Sequence, residues 1–505
     1  MASGKNLRHI LLECLVITCL AAFFLCIILR PCSAYDLTDK VKEFTLKNGL
    51  KVLIVERHVS PTVSLYISHE TGAADEEDGH TGTAHFLEHM MFKGTETIGT
   101  KNFEEEKRIL RKIHDVGNAL DTETMKGKSA DVRKTEDLRK QLKTLQQEAG
   151  KWSIPSEIDR LYTEKGGGDL NAFTGQDLTS YQVSLPSNRI ELWARIESDR
   201  MTSPVFREFY SERNVVMQER KQTVESNPGR KLMEQFLAAA FMVHPYRRPV
   251  LGWAPDMRFL NIDYTKEFFR TYYAPNNTTI AIVGDVSPDR VMKIIKHYFG
   301  RIPSQKIPVR RVTEEPPQNG ERRVKLVSDA SPSLIIGYHK PTLPSFDDCV
   351  FDVIDTILSG GRTSRLFKAL VEKGIAVDVN TSNGFPGARY PNLFVVFAEP
   401  VSPHTCGELE ETIYKELDIL KKEPVKSEEL EKAKNQLKAD ILRSISTNSG
   451  LAGMLSYYEA VTGSWQYITK FPDLLEKVTP EDIMTVARKY LEPRNRTVAE
   501  LVRKK

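Results

Sequence analysis

The most constraining feature of this sequence is the motif His-Phe-Leu-Glu-His at residues 85–89. Its apolar residues, Phe86 and Leu87, favour a helix, and on a helix two histidines four positions apart share one face. That spacing lets His85 and His89 reach one Zn²⁺ at about 2.0–2.1 Å, while Glu88 points to the same side. A carboxylate in that place can take a proton from water held by the metal. The motif therefore predicts a zinc-dependent hydrolytic site in which the HExxH arrangement is reversed.

A catalytic zinc needs a third protein ligand and one open position for water. Residues 212–219 begin and end with a glutamate, Glu212 and Glu219, and their apolar flank predicts a helix. Acids seven positions apart lie on one helix face, so either can reach the metal. From the residues alone the two glutamates are nearly equivalent, and a solvated acidic face is the alternative.

Strand and helix signals alternate from the start of the folded part. Residues 41–55 contain two β-rich runs around Asn48-Gly49, a hairpin signal. Residues 63–68 predict another strand, and residues 82–91 predict a helix. The expected fold class is α+β.

Residues 103–152 differ from their surroundings because they are dense in charged side chains, with apolar residues at helical spacing. The apolar residues form two stripes: Ile109, Ile113, Val116 and Leu120, then Leu138, Leu142, Leu145 and Ala149. The pattern predicts a helical hairpin inserted into the first domain. Its charges are interpreted as a solvated face, although such an arm could also touch a partner subunit.

A Pro- and Arg-rich stretch at residues 302–323 indicates an inter-domain linker. The pattern then restarts: residues 275–281 (PNNTTIA) resemble residues 493–499 (PRNRTVA), and each follows a helix-like run that ends in tyrosine. Two homologous α+β domains are predicted. Their expected bounds are 41–300, with the insertion at about 103–152, and 324–505, joined by a linker at 301–323.

The N-terminal residues 1–34 have the pattern of a targeting segment. Lys5 and Arg8 precede an apolar run at 10–29, and small residues end it at Ala34. This favours a secretory signal cleaved after Ala34, and the alternative is an uncleaved membrane anchor. Either way the rest of the chain is expected outside the cytoplasm, periplasmic or secreted, with membrane contact only if the segment is uncleaved.

Charge and cysteine content exclude other classes. Lys and Arg number 71 against 68 Asp and Glu, a formal net charge of +3, and no long basic run interleaves with aromatic residues. Nucleic acid is therefore not the expected partner. Of the 6 cysteines only Cys349 and Cys406 lie beyond residue 34, which excludes a disulfide framework. Those two can form one bridge or pack as small hydrophobic residues.

Residues 85–95 (HFLEHMMFKGT) closely resemble the signature of the insulinase or pitrilysin family of zinc peptidases. Other segments resemble landmarks of that family, so the likeness covers nearly everything after the leader: 171–174, 212–219, 244–246, 273–277 and 359–366. The chain length is similar to that of the short, two-domain members. Those resemble the mitochondrial processing peptidase and its bacterial relatives, which work as dimers.

The resemblance also implies roles for residues that the pattern alone leaves open. It makes Glu219 the third zinc ligand and Glu212 an acidic helper beside the site. It further implies that Asn171, Ala172 and Phe173 lie on an edge strand that pairs with the substrate backbone. A sheet edge can bind an extended peptide through main-chain hydrogen bonds.

One departure from the family affects the second domain. Active members carry an Arg and a Tyr there that grip the substrate, and residues 366–380 contain neither. The resemblance implies a dimer, either a homodimer or a heterodimer. In a heterodimer a related, metal-free subunit supplies the missing Arg and Tyr. The predicted function is a zinc metalloendopeptidase acting on unfolded or extended peptides. The alternatives are a non-catalytic core subunit and a peptide-binding module of an envelope complex.

Overall fold

The computed structural model describes residues 37–310 and 312–504. The predicted leader at 1–34 lies outside these residues, so its cleavage or retention stays a prediction. Within the described part of the chain, no helix combines the length and the apolar character needed to cross a membrane.

The first half is built on a six-stranded sheet with the order β1-β2-β6-β3-β5-β4. Its strands are β1 (Val41–Thr45), β2 (Lys51–Glu56), β3 (Thr62–His69), β4 (Gly168–Thr174), β5 (Thr179–Pro186) and β6 (Thr278–Gly284). The predicted hairpin is confirmed, because β1 and β2 pair antiparallel on either side of Asn48-Gly49. Gly49 has φ +86°, a left-handed conformation that glycine adopts without strain. β4 is an edge strand.

Helices pack on this sheet, and two further helices form the insertion. They are α1 (Thr83–Met90), α2 (Phe103–Met125), α3 (Val132–Ala149), α4 (Glu157–Thr163), α5 (Ile190–Thr202), α6 (Phe209–Arg220), α7 (Pro228–Ala240), α8 (Ala254–Met257), α9 (Ile262–Tyr272) and α10 (Pro288–Phe299). The predicted helical hairpin is confirmed as α2 and α3. Two buried ion pairs fix it to the domain: Arg207 to Glu106 at 2.7 Å, and Arg213 to Asp121 at 2.7 Å.

The second half repeats the plan with a five-stranded sheet, ordered β7-β11-β8-β10-β9. The strands are β7 (Arg322–Ser328), β8 (Ser333–Lys340), β9 (Ala376–Phe385), β10 (Asn392–Pro400) and β11 (Arg496–Arg503). The helices are α11 (Phe346–Ser359), α12 (Cys406–Lys422), α13 (Ser427–Ser446), α14 (Asn448–Thr462), α15 (Tyr467–Lys477) and α16 (Pro480–Tyr490). Cys349 and Cys406 are buried free thiols in this half.

The repeat seen in the sequence has a structural cause. In both halves a helix ends at a tyrosine, a short 3₁₀ turn follows, and the chain enters a strand with a parallel partner. That partner is β2 in the first half and β7 in the second. Asn277 donates from its side-chain amide to the carbonyl of Tyr272 at 2.8 Å, and Asn495 donates to that of Tyr490 at 2.7 Å. The same cap closes the same helix end twice, which supports two homologous α+β units.

One helix of each half packs against the sheet of the other half. α14, from the second half, packs on β3 and β6, where Tyr66 and Ser449 share a hydrogen bond of 2.9 Å. α7, from the first half, packs on β7 and β11, and its Phe236 lies in one apolar cluster with Ile335 and Ala499. This exchange places a helix of the other half against each sheet.

A buried polar network also joins the halves. The Asp177 carboxylate accepts hydrogen bonds from the Tyr246 hydroxyl at 2.8 Å and from the backbone amides of Ala388 and Arg389 at 2.7 and 3.1 Å. Gly387 is required there, because a Cβ on it would lie 2.5 Å from Asp177 Oδ2. The contact fixes the β9–β10 turn of the second half against the first.

The predicted linker contains no helix or strand between α10 and β7 in its described residues. The linker is nevertheless attached to the first half, because Glu315 accepts hydrogen bonds from the backbone amides of Met242, Val243 and His244 at 2.8–3.1 Å. β7 starts at Arg322, just before the predicted end of the linker.

Candidate metal centre

Helix α1 buries Ala84, Phe86, Leu87 and Met90, so its remaining face presents His85, Glu88 and His89. Two buried side chains form hydrogen bonds with the two ends of this helix. At the N-terminus the buried carboxylate of Glu76 accepts from the amides of Gly82 and Ala84 at 2.8 and 2.7 Å. At the C-terminus the buried guanidinium of Arg200 donates to the Met91 carbonyl at 2.9 Å. The charge of Arg200 at the C-terminus complements the helix dipole, while burial raises the pKa of Glu76 to about 8.

The structure brings together the three predicted zinc ligands. Glu219 lies with one carboxylate oxygen 3.7 Å from His85 Nε2 and the other 3.6 Å from His89 Nε2. One ligand atom from each residue lies within 4.8 Å of the others. The four-residue spacing on α1 sets the two imidazoles side by side, and α6 supplies Glu219 from a separate part of the chain.

Glu212 lies about two turns before Glu219 on α6 and contacts the site through His89. Its carboxylate lies 2.9 Å from His89 Nδ1 and 2.6 Å from Lys93 Nζ. Burial acts to raise the pKa of Glu212, but hydrogen bonds from His89 and Lys93 outweigh it and lower that pKa to about 2. The ionised Glu212 carboxylate accepts a hydrogen bond from Nδ1–H of His89, which leaves the Nε2 lone pair free to bind a metal.

Burial shifts the pKa values of His85 and Glu88. Burial lowers the pKa of His85 to about 3, and the neighbouring His89 adds to this, so His85 is neutral and able to ligate. Burial raises the pKa of Glu88, while a hydrogen bond from Thr174 at 2.5 Å and the charge of His89 oppose the rise. A carboxylate with a raised pKa is the better proton acceptor in water activation.

The predicted substrate strand is an exposed edge beside these groups. Asn171, Ala172 and Phe173 pair with β5 on one side only, and Phe173 is 45% exposed. A cavity of about 480 Å³ connects Glu88 and His89 with Asn171 and Ala172. An extended peptide laid along β4 would therefore run past the reacting groups.

The residues fit a zinc ion. Bonds of about 2.0–2.1 Å in a tetrahedron place ligand atoms roughly 3.3 Å apart. Each imidazole Nε2 lies 3.6–3.7 Å from a different oxygen of Glu219, and single ligand atoms of the three residues lie within 4.8 Å of one another. The donor set of two imidazoles and one carboxylate is a known catalytic zinc set. Among the described residues this is the one group of three or more His, Cys, Asp or Glu that could hold a metal.

Several contributing residues were not assigned from the sequence. Thr174, Glu76 and Arg200 support the site, but each comes from a separate element that only the fold brings close. Thr174 ends the 171–174 segment, so its place in that motif was the available signal.

Residues 366–380 contain no Arg or Tyr, and the first Arg-Tyr pair after them is Arg389-Tyr390. Arg389 forms hydrogen bonds with Asp177 in the interface between the halves through its backbone amide and its guanidinium.

Sequence comparison identifies family models over most of the chain. Residues 51–126 and 150–253 match the model described as Insulinase (Peptidase family M16), and residues 260–437 match Peptidase M16 inactive domain. The gap between the two matched segments of the first half covers α3 of the inserted hairpin.

Individual proteins are similar over nearly the full length. The zinc protease PqqE of Helicobacter pylori is 25% identical over 479 residues, which are 93% of this chain and 94% of that protein. The crystal structure of a protease from Helicobacter pylori has a TM-score of 0.77 at 24% identity, over 92% of this chain and 99% of that one. A structure described as a peptidase M16 inactive domain from Pseudomonas fluorescens has a TM-score of 0.72 at 17% identity, over 92% of this chain and 99% of that one.

Proposed function

Since this chain belongs to the insulinase (M16) family of peptidases, we propose that it is a zinc-dependent endopeptidase acting on unfolded or extended peptides. The observation that carries the proposal is the convergence of His85, His89 and Glu219 beside Glu88 and next to an exposed sheet edge. Relatives named zinc proteases support the same class of chemistry.

Each of these residues has a role in the proposed reaction. His85, His89 and Glu219 would hold the zinc, and Glu212 orients His89 through Nδ1. When bound, zinc supplies polarisation of the scissile carbonyl and acidification of a water molecule. Glu88 accepts the proton of the attacking water, and its burial beside the ligands places the carboxylate for that transfer.

Substrate binding is proposed to use the edge of the first sheet. The residues of β4 on its open side have backbone groups without a strand partner among the described residues, so an extended peptide can pair with them. Main-chain pairing places few demands on sequence, which suits unfolded substrates of varied composition. The adjoining cavity gives room for a substrate side chain next to Glu88.

The second half favours a partner subunit. Val371 is partly buried and Val377 is exposed, at the places where active relatives are expected to carry the gripping Arg and Tyr. We infer that a related, metal-free chain supplies those residues in a dimer, in the periplasm or outside the cell. Losing substrate positioning commonly costs orders of magnitude in rate, so the isolated chain should be weakly active.

The proposal is tested with a flexible fluorogenic peptide and purified chain, alone and mixed with a candidate partner of similar size. Hydrolysis should disappear on chelation and return with Zn²⁺. Mixing should raise turnover at least tenfold, since the partner restores positioning. Peptide binding without hydrolysis in every zinc-loaded mixture would support the peptide-binding alternative and contradict the enzyme. Strong turnover by the isolated chain, unchanged on mixing, would contradict the partner.

A further inference from the structure

One hydroxyl links the edge strand to the acid of the metal motif. Thr174 is the last residue of β4, and its Oγ1 donates a hydrogen bond of 2.5 Å to Glu88 Oε2. Within residues 37–310 and 312–504, no other side chain hydrogen-bonds to this carboxylate. Glu88 Oε1 is therefore left for water or substrate.

The position of this hydroxyl is set by rigid backbone. Thr174 pairs with Thr179 at the closed end of the β4–β5 hairpin, where Gly175 donates its amide to the Leu178 carbonyl at 2.9 Å. The Gly175 carbonyl in turn accepts from the Ala73 amide at 3.1 Å. Threonine is stiff at χ1, so a fixed backbone fixes the direction of its hydroxyl.

The same strand carries the residues proposed to pair with substrate. Asn171, Ala172 and Phe173 immediately precede Thr174, so the peptide would dock within one to three residues of the group that holds Glu88. A carboxylate bonded through one oxygen loses much of its rotational freedom. Positioning of about 0.5 Å decides whether such a group works in a site.

We propose that Thr174 is a positioning residue that holds the Glu88 carboxylate in place and couples peptide docking on β4 to proton transfer. This inference rests on the proposed function. Thr174 does not contact the scissile bond in this account, and it acts through Glu88. Its loss should reduce turnover while leaving peptide affinity and zinc content unchanged.

The test compares Thr174→Val, which keeps the shape and removes the donor, with Thr174→Ser, which keeps the donor. Thr174→Val should lower kcat by about tenfold or more with KM within about twofold, because only proton transfer depends on the hydrogen bond. Thr174→Ser should recover most of the lost kcat. Zinc content and thermal unfolding should match the parent chain in both. Thr122→Val is the control, since that hydroxyl bonds only the Asn118 carbonyl in the exposed inserted hairpin.

Three outcomes would overturn the inference. Parental kcat in Thr174→Val would show that the hydrogen bond is dispensable. An equal loss in the Ser variant, or a fall that appears only in KM or zinc content, would assign Thr174 a structural role. Failure of the proposed function is distinct from these, because then the zinc-loaded parent chain would not hydrolyse peptide with or without a partner.

Discussion

The two halves of this chain share one framework but carry different chemistry on the helix that follows their central strand. In the first half α1 presents His85 and His89, four positions apart, toward Glu219. In the second half α11 follows β8 and carries Asp348 and Asp352 at the same spacing. The strand order apart from β1, the exchanged helices and the capped turn before the last strand are common to both.

The acids of α11 do not form a ligand set. Asp348 is buried against Lys340 at the end of β8, and the two form an ion pair and hydrogen bond. Burial raises the pKa of Asp352 to about 8, and the charge of Asp348 adds to this, so Asp352 is held largely protonated while Asn383 donates to it at 2.8 Å. The shared framework therefore depends on long-range packing, whereas the candidate metal site depends on a few side chains and can differ between the two halves.

The largest expected effect is on peptide hydrolysis, and it distinguishes Glu88 on α1 from Asp352 on α11. Glu88→Gln should reduce peptide hydrolysis by about 10³-fold or more, because the amide cannot accept the proton from water. Its matched control is Asp352→Asn on α11, which keeps the hydrogen-bonding shape of a protonated acid and should leave kcat within about twofold. Initial rates of the zinc-loaded chain, with a partner if one is needed, check both. A similar loss from both variants would break the comparison.

The contact between the halves should have a smaller effect, on stability. Asp177→Ala removes the acceptor shared by the Tyr246 hydroxyl and two backbone amides of the second half, leaving buried donors unpaired. The free energy of unfolding should fall by about 3 kcal/mol. Urea unfolding measures it, with exposed Asp137→Ala as the control. Equal midpoints for the two variants would show that the network does not hold the halves together.

The smallest effect, about 1 kcal/mol per pH unit, concerns acid sensitivity at one pair of matching positions, where it should come from the first half. His69 and Tyr338 occupy matching places opposite β6 and β11, and both are buried. Burial lowers the pKa of His69 from 6.5 to about 3, and the charge of Arg200 adds to this. The folded state therefore binds fewer protons than the unfolded state between these values. The stability from neutral His69 is complete above about pH 6.5 and declines as the pH falls toward 3.

Replacing His69 with Gln should flatten this acid dependence. The slope of unfolding free energy below pH 6.5 should decrease by about 1 kcal/mol per pH unit, since one titrating group contributes at most about 1.4. Urea unfolding at several pH values measures the slope. Exposed His297→Gln should leave it unchanged. Identical slopes in the parent and the His69 variant would refute the assignment.

Local patterns in the sequence predicted much of the first half. The hairpin around Asn48-Gly49, helix α1 and the inserted hairpin follow from turn residues and apolar spacing, which act within a few residues. Spacing alone could not separate Glu212 from Glu219. The family resemblance favoured Glu219, and the structure places it nearer both imidazole Nε2 atoms.

Long-range features were not predictable in the same way. An amphipathic pattern shows that α7 and α14 bury one face, but not that each covers the sheet of the other half. Glu76, Arg200 and Thr174 reach α1 from different elements, so no spacing connects them with the motif. The leader at 1–34 lies outside the described residues and stays a prediction.

The most direct test of the central claim is the zinc content of the purified chain, measured by elemental analysis after loading and dialysis. We expect about one zinc per chain in the parent and in Asp352→Asn. His85→Ala, His89→Ala and Glu219→Gln should each reduce occupancy, because each removes one of three protein ligands. A parent chain without zinc, or full zinc retention in all three variants, would contradict it.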